Sequence, residues 1–160
     1  MGRQQDTLNG FNAVAPGQTA TVDMGTGVRY HQIWINYKNN AARSTIESDI
    51  KEVRMKINGR VVRRFSAAEL FVINGLNGQE FQNGYLPIFL SEPWRRNAVG
   101  EDAGAWGMSN VASFQIEVDI DAGATNPTLS GFAEFDAVQL PLTDIIMWEK
   151  QTVPANGSGT

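Results

Sequence analysis

His31 is the only histidine in the 160-residue chain, and the chain has no cysteine. A zinc or cupin-type metal centre needs several imidazole or thiolate ligands, so that chemistry is excluded, together with disulfides and thiol nucleophiles. His31 reads as a strand residue packed or hydrogen-bonded locally. Glu101 and Asp102, close in sequence to Trp94 and Trp106, imitate a glycosidase carboxylate pair. Adjacent residues on an extended chain point in different directions, so they do not make a matched acid and base. No catalytic residue is assigned, and the chain is not read as an enzyme. Asp119, Asp121 and Asp136 carry oxygen ligands that could hold calcium at an edge or between subunits. Asp-Ile-Asp-Ala-Gly is only a fragment of a calcium-loop pattern, however, and solvated strand faces explain these aspartates more simply. Apart from this calcium candidate no cofactor is expected.

Arg54, Lys56, Arg60, Arg63 and Arg64 crowd one stretch, with Arg95 and Arg96 further on. They suit phosphate-bearing lipid headgroups, at about 1 kcal/mol per residue near an anionic surface, or an acidic neighbour. Alternatively they only keep an outer strand face wet. No aromatic pair is interleaved with the arginines as a nucleic-acid stacking platform requires. The net charge of −4 adds no global attraction, so no specific nucleic-acid partner is expected. Trp34, Trp94, Trp106 and Trp148, with Tyr85, either stack on sugar rings or anchor a protein interface. A carbohydrate-binding β-sandwich using Trp94 and Trp106 is therefore the alternative to an assembly protein.

The elements that must position these residues are mostly strands. Hydrophobic residues make up 42% of the composition and glycines number sixteen, which favours one domain of short strands and turns over a helical bundle. Asn58-Gly59 between two runs of β-formers predicts a two-residue hairpin. In that register Arg54 faces Arg63, a like-charge conflict that a bulge would relieve. Ser66 and Glu69 form a capping pair ahead of Leu70, Phe71 and Ile73, with Gly75 as the stop. One short helix is thus predicted between strands. Strands are read over residues 19–23, 28–37, 50–57, 60–65, 85–90, 111–121, 129–138 and 143–150. His31, Ile33, Ile35 and Tyr37 are assigned to one face of the second, which reads as central. Residues 39–48 are read as a polar loop, Pro87 marks a sheet edge or bulge, and 129–138 is taken as the mate of 111–121. The long loop 91–110 exceeds ordinary connection lengths, as functional or interfacial loops do. Residues 1–16 read as an N-terminal arm, 17–150 as the domain and 151–160 as a flexible tail or linker. The start lacks a signal-peptide core, and no run approaches the roughly 20 apolar residues of a membrane span. Synthesis in the cytoplasm is expected. About eight strands in turn-separated succession describe an all-β, eight-stranded jelly-roll sandwich.

The run from Ile50 to Trp106 carries a more specific signal. Its Asn-Gly hairpin, the Ser-Ala-Ala-Glu-Leu helix start, Leu86-Pro87-Ile88-Phe89-Leu90, Glu92-Pro93-Trp94-Arg95 and Ala105-Trp106-Gly107 resemble the N-terminal jelly roll of corticovirus-type major capsid proteins, from tailless phages with an internal membrane. The strands at Phe114–Ile120 and Ala133-Glu134 follow in the order of that family. The resemblance implies two jelly rolls per chain, three chains per capsomer and a place in the virion. This sequence has room for one roll. Either a second roll follows the 151–160 connection or the chain is a single-roll variant. The surfaces implied for subunit contact are Phe11 in the arm, Leu70 and Phe71 in the helix, and Trp94, Arg95 and Trp106 in the long loop. Arg54, Arg63 and Arg64 add a charged contact.

Overall fold

Alternation in Ile50–Ile57 and Phe114–Ile120 buries one face of each strand and wets the other, and two antiparallel sheets are built from strands of this kind. The computed structural model describes residues 2–143, 145–151 and 153. The strands are β1 (Gln4–Thr7), β2 (Thr19–Met24), β3 (Arg29–Tyr37), β4 (Ile50–Ile57), β5 (Arg60–Phe65), β6 (Tyr85–Phe89), β7 (Trp106–Gly107), β8 (Phe114–Ile120) and β9 (Leu129–Asp136). The first sheet runs β1-β9-β3-β6, with β7 also paired to β3, and the second runs β2-β8-β4-β5. Ile33, Ile35 and Ala133 of the first sheet share one buried core with Val53, Met55, Ile116 and Val118 of the second.

β3 is central, as its two apolar faces predict, and Pro87 sits in edge strand β6. Other expectations need correction. Residues 4–7, read as part of an arm, form an edge strand on β9. Polar residues on an edge exposed to water carry no alternation from which to read a strand. β9 is not the mate of β8: the chain crosses between them to the other sheet. His31 sits at a bulge of β3 between Tyr30 and Gln32. The extra residue reverses the face assignment at that point, and Tyr30 turns inward against Phe114 with ring centroids 5.5 Å apart.

Among the described residues there are three short helices instead of one. The predicted helix is α2 (Ala67–Leu76), with the full Ser66/Glu69 capping box. The segment read as a polar loop contains α1 (Arg43–Asp49), which has no side-chain cap and buries only Ile46 and Asp49. Such a helix leaves almost no periodic signal. The third, α3 (Ala98–Asp102), is capped by Asn97 in the long loop. The last predicted strand is absent among its described residues except for a parallel bridge from Arg63 to Trp148. Trp148 there donates to the Val62 carbonyl and accepts from the Arg64 N–H, covering the edge of β5. Of the expected tail, only Gln151 and Val153 lie among the described residues.

Asn58 and Gly59 have φ of 50° and 79°, the left-handed geometry of a two-residue hairpin turn. Ile57 faces Arg60 and Lys56 faces Val61, but a bulge then sets Arg63 opposite Met55 and Arg64 opposite Arg54. Met55 is fully buried. The bulge therefore turns Arg63 into the interior and hands the like-charge pairing to Arg64.

Candidate functional site

Four groupings of polar and aromatic side chains follow from this framework. The bulge at His31 places its ring, fully buried, against Asp136 at the end of β9, with Nε2 2.6 Å from Oδ2. A carboxylate only accepts, so Nε2 carries the proton. Arg29 donates to the same carboxylate through Nη2 at 2.6 Å and Nε at 3.1 Å. Burial alone would push the Asp136 carboxyl upward, but these hydrogen bonds outweigh it and hold it well below the ordinary carboxylate range. Asp102 extends the cluster, 3.4 Å from Arg29. Arg3, just before β1, bonds Asp102 at 2.7 Å, Glu101 at 2.8 Å and Glu134 at 2.9 Å. Glu101 and Asp102 thus act as anchors for the chain start, and each faces cations instead of a partner acid. The cluster fastens β1, β3, β9 and the long loop to one another. Sequence reasoning found its histidine and three of its acids but not Arg3 or Arg29, which nothing local distinguishes from surface cations.

The outer face of the second sheet is a closed ion-pair network. Arg54 donates to Glu117 at 2.9 Å, to Glu52 at 2.7 Å and to Asp119 at 2.6 and 2.8 Å. Lys56 reaches Glu117 at 2.9 Å. The hydrogen bond from Arg54, and another from Thr19, lower the Asp119 carboxyl. The hairpin's basic character is largely neutralised on its own sheet. The calcium candidates do not come together within the chain. Asp119 belongs to this network, Asp121 caps its own turn at Gly123, and Asp136 lies in the other sheet. Among the described residues no three potential ligands converge as a metal cage.

Arg63 lies below this face. It is 6% exposed, and its guanidinium carbon stands 4.9 Å from the Trp106 ring centroid and 4.4 Å from that of Trp148. Burial lowers its pKa to about 10. Trp106 is 2% exposed, and Trp94 packs edge-on against Phe89 at 5.6 Å. The two tryptophans therefore offer no paired open platform for a sugar, which removes the geometric basis of the carbohydrate alternative. Leu70 and Phe71 are likewise buried. With Arg63 and Trp106 they belong to the core, which corrects their assignment as contact residues. Phe11 packs half-buried against that core, while Arg64 and Arg95 are exposed.

The outer face of the first sheet differs in kind. Trp34 stacks on Phe132, with centroids 5.7 Å apart and planes 11° from parallel, and meets Tyr85 and Phe89 edge-on at 5.6 and 6.1 Å. All four rings are half-buried, forming an aromatic ladder across β9, β3 and β6. Only Trp34 and Tyr85 were legible in the sequence as candidate anchors. Phe89 and Phe132 join them through strand pairing.

A family model described as the viral coat protein P2 N-terminal domain matches residues 5–136. The chain belongs to that family. It is 24% identical over 133 residues to the major capsid protein P2 of Pseudoalteromonas phage PM2, covering 79% of this chain and 48% of that protein. The crystal structure of the major capsid protein P2 from bacteriophage PM2 superposes with a TM-score of 0.77 at 23% identity, over 88% of this chain and 52% of that one. PBCV-1 VP54, in a crystal structure fitted into a reconstruction of the virophage Sputnik, matches with a TM-score of 0.59 at 10% identity. It covers 84% of this chain and 41% of its own. For the STIV MCP the TM-score is 0.54 at 12% identity, over 84% and 39%. These likenesses establish the jelly-roll fold of the coat-protein domain. The chain spans about half the length of the P2 relatives it matches.

Proposed function

We propose that this coat-protein domain is a structural unit of a virion shell that acts by packing against further copies, three to a capsomer, with no catalytic step. The observation that carries the reading is the aromatic ladder on the outer face of the first sheet. A lone β-sandwich keeps outward strand faces polar, and half-buried stacked aromatics there mark a contact surface. Contact with an internal membrane draws less support. Arg54 and Lys56 are neutralised within their sheet, and the few remaining cations give only about 1 kcal/mol each near anionic lipid.

Sedimentation velocity over a concentration series tests the proposal on the chain and on any longer protein that contains it. A reversible trimer is expected, and Phe132→Asp should abolish it while leaving the thermal unfolding midpoint within a few degrees. Persistence of the trimer in F132D, or a monomer for both proteins at near-millimolar concentration, would overturn the assignment.

A further inference from the structure

Among the buried polar and charged residues Arg63 is the only arginine. Its guanidinium lies over the Trp106 and Trp148 rings. Contact of this kind shields the group from water and leaves its N–H donors in need of acceptors. Among the described residues one acceptor is present, the Ile146 carbonyl, 3.3 Å from Nε. Nη1 is buried without a partner, and none of the ion pairs of the described residues includes Arg63. An unpaired cation removed from water is costly, and an oxyanion beside it relieves that cost.

The space for one adjoins it. Arg63 helps line a cavity of about 250 Å³ between α2, β6, the long loop and the segment before Trp148. That exceeds the roughly 150 Å³ that accepts benzene in an engineered core. Ile73, Leu90, Trp94 and Ile145 supply apolar wall. Among the described residues the single carboxylate on the wall, Glu92, is paired with Arg95, so it is not the counterion of Arg63. The nearby Asn74 amide is engaged by the Pro87 carbonyl at 2.9 Å.

We propose that this cavity binds a carboxylate carried on a small apolar body, with Arg63 as its cationic partner. The group could arrive as a free acid or on an acidic side chain of a neighbouring copy. In both cases the guanidinium and the apolar wall recognise the same chemistry. Charge-assisted pairing in a partly enclosed site favours the anion over a neutral analogue of equal size by about tenfold or more.

Titration of the folded chain with sodium hexanoate, hexanol and hexylammonium chloride tests the inference, read by the emission of the three tryptophans around the cavity and by thermal shift. Hexanoate is expected to give a saturable response at least about tenfold tighter than hexanol, with none from hexylammonium. Arg63→Met should remove the preference. Because that variant alters the core, Ile73→Trp provides a second arm: it keeps Arg63, fills the cavity from the helix side and should abolish binding without lowering the unfolding midpoint. Sedimentation in hexanoate separates the two sources. Loss of self-association identifies a neighbour's carboxylate as the resident group, and unchanged association identifies a free acid. Equal affinity for hexanol and hexanoate, no saturable response to hexanoate, or unchanged binding in either variant would each overturn the assignment.

Discussion

Replacing Asp136 by asparagine removes one charge and leaves the shape of the side chain almost intact. The Val138 N–H, 2.9 Å from Oδ1, can still find an acceptor. Arg29 and His31 cannot both do so, because one oxygen becomes an amide NH₂ facing their donors at 2.6 Å. Asp136 has a side chain only 4% exposed and Arg29 one of 14%, so little water replaces what is lost. Breaking a buried pair from one side costs about 3–5 kcal/mol. The lower end applies, because Arg29 keeps Asp102 at 3.4 Å. A loss of about 3 kcal/mol in a chain of this size lowers the unfolding midpoint by roughly 6–12 °C.

Urea unfolding of both proteins, followed by tryptophan emission, measures the difference directly. Its pH dependence supplies a second, independent check. The Asp136 carboxyl is held below its ordinary value of 3.8, so the native state binds its proton less readily than the unfolded chain does. The stabilisation is complete above that ordinary value and is lost as pH falls through the native one. The gap between wild type and D136N should therefore be constant near neutrality and shrink progressively below about pH 4. A penalty under about 1 kcal/mol at neutral pH, or a gap that does not change on acidification, would refute the view that this buried carboxylate fastens the seam.

Two further substitutions probe the framework. Ser66→Ala removes the acceptor for the Glu69 N–H and half of the capping box, and should cost about 1 kcal/mol in urea unfolding; Ser66→Thr should restore most of it. Arg54→Met leaves Glu52, Glu117 and Asp119 with only Lys56 beside Glu117 and Arg64, 3.4 Å from Glu52, to balance them, and should cost about 2 kcal/mol. That penalty should fall in molar salt, which screens the repulsion among the stranded carboxylates.

The second sheet was readable from sequence because its strands obey a period of two, with one face buried and one in water. Ile50–Ile57 and Arg60–Phe65 were located to the residue, and so was the residue that starts the cap of α2. The failures have a common physical origin in tertiary pairing. β1 has no apolar face to betray it, α1 has no cap, and the exchange of sheets between β8 and β9 depends on how a turn directs the chain. The bulges mattered most. One at His31 reversed the predicted facing of Tyr30, and one in β5 turned an arginine expected on the surface into the core. The like-charge conflict between Arg54 and Arg63 showed that the simple register was disfavoured, and a bulge was anticipated. Which arginine it would turn inward depended on Trp106 and Trp148, distant in sequence, coming together around it.

The difference between the two outer faces also decides which one can meet a neighbour. Desolvating the Arg54 network would take several ions from water at a cost of several kcal/mol each. Its partners already satisfy one another, so a neighbour could add little in return. The aromatic ladder has no such penalty. Each ring still exposes part of a side chain that buries about 150–250 Å² when fully covered, enough for on the order of 1 kcal/mol per ring at about 25 cal/mol per Å². Four rings give only several kcal/mol, comparable with the lower estimates of the cost of association. One such contact is therefore weak, whereas closure of the proposed three-subunit ring would engage every ladder at once. Marginal individual contacts with strong closure would suit the assembly role proposed for this domain.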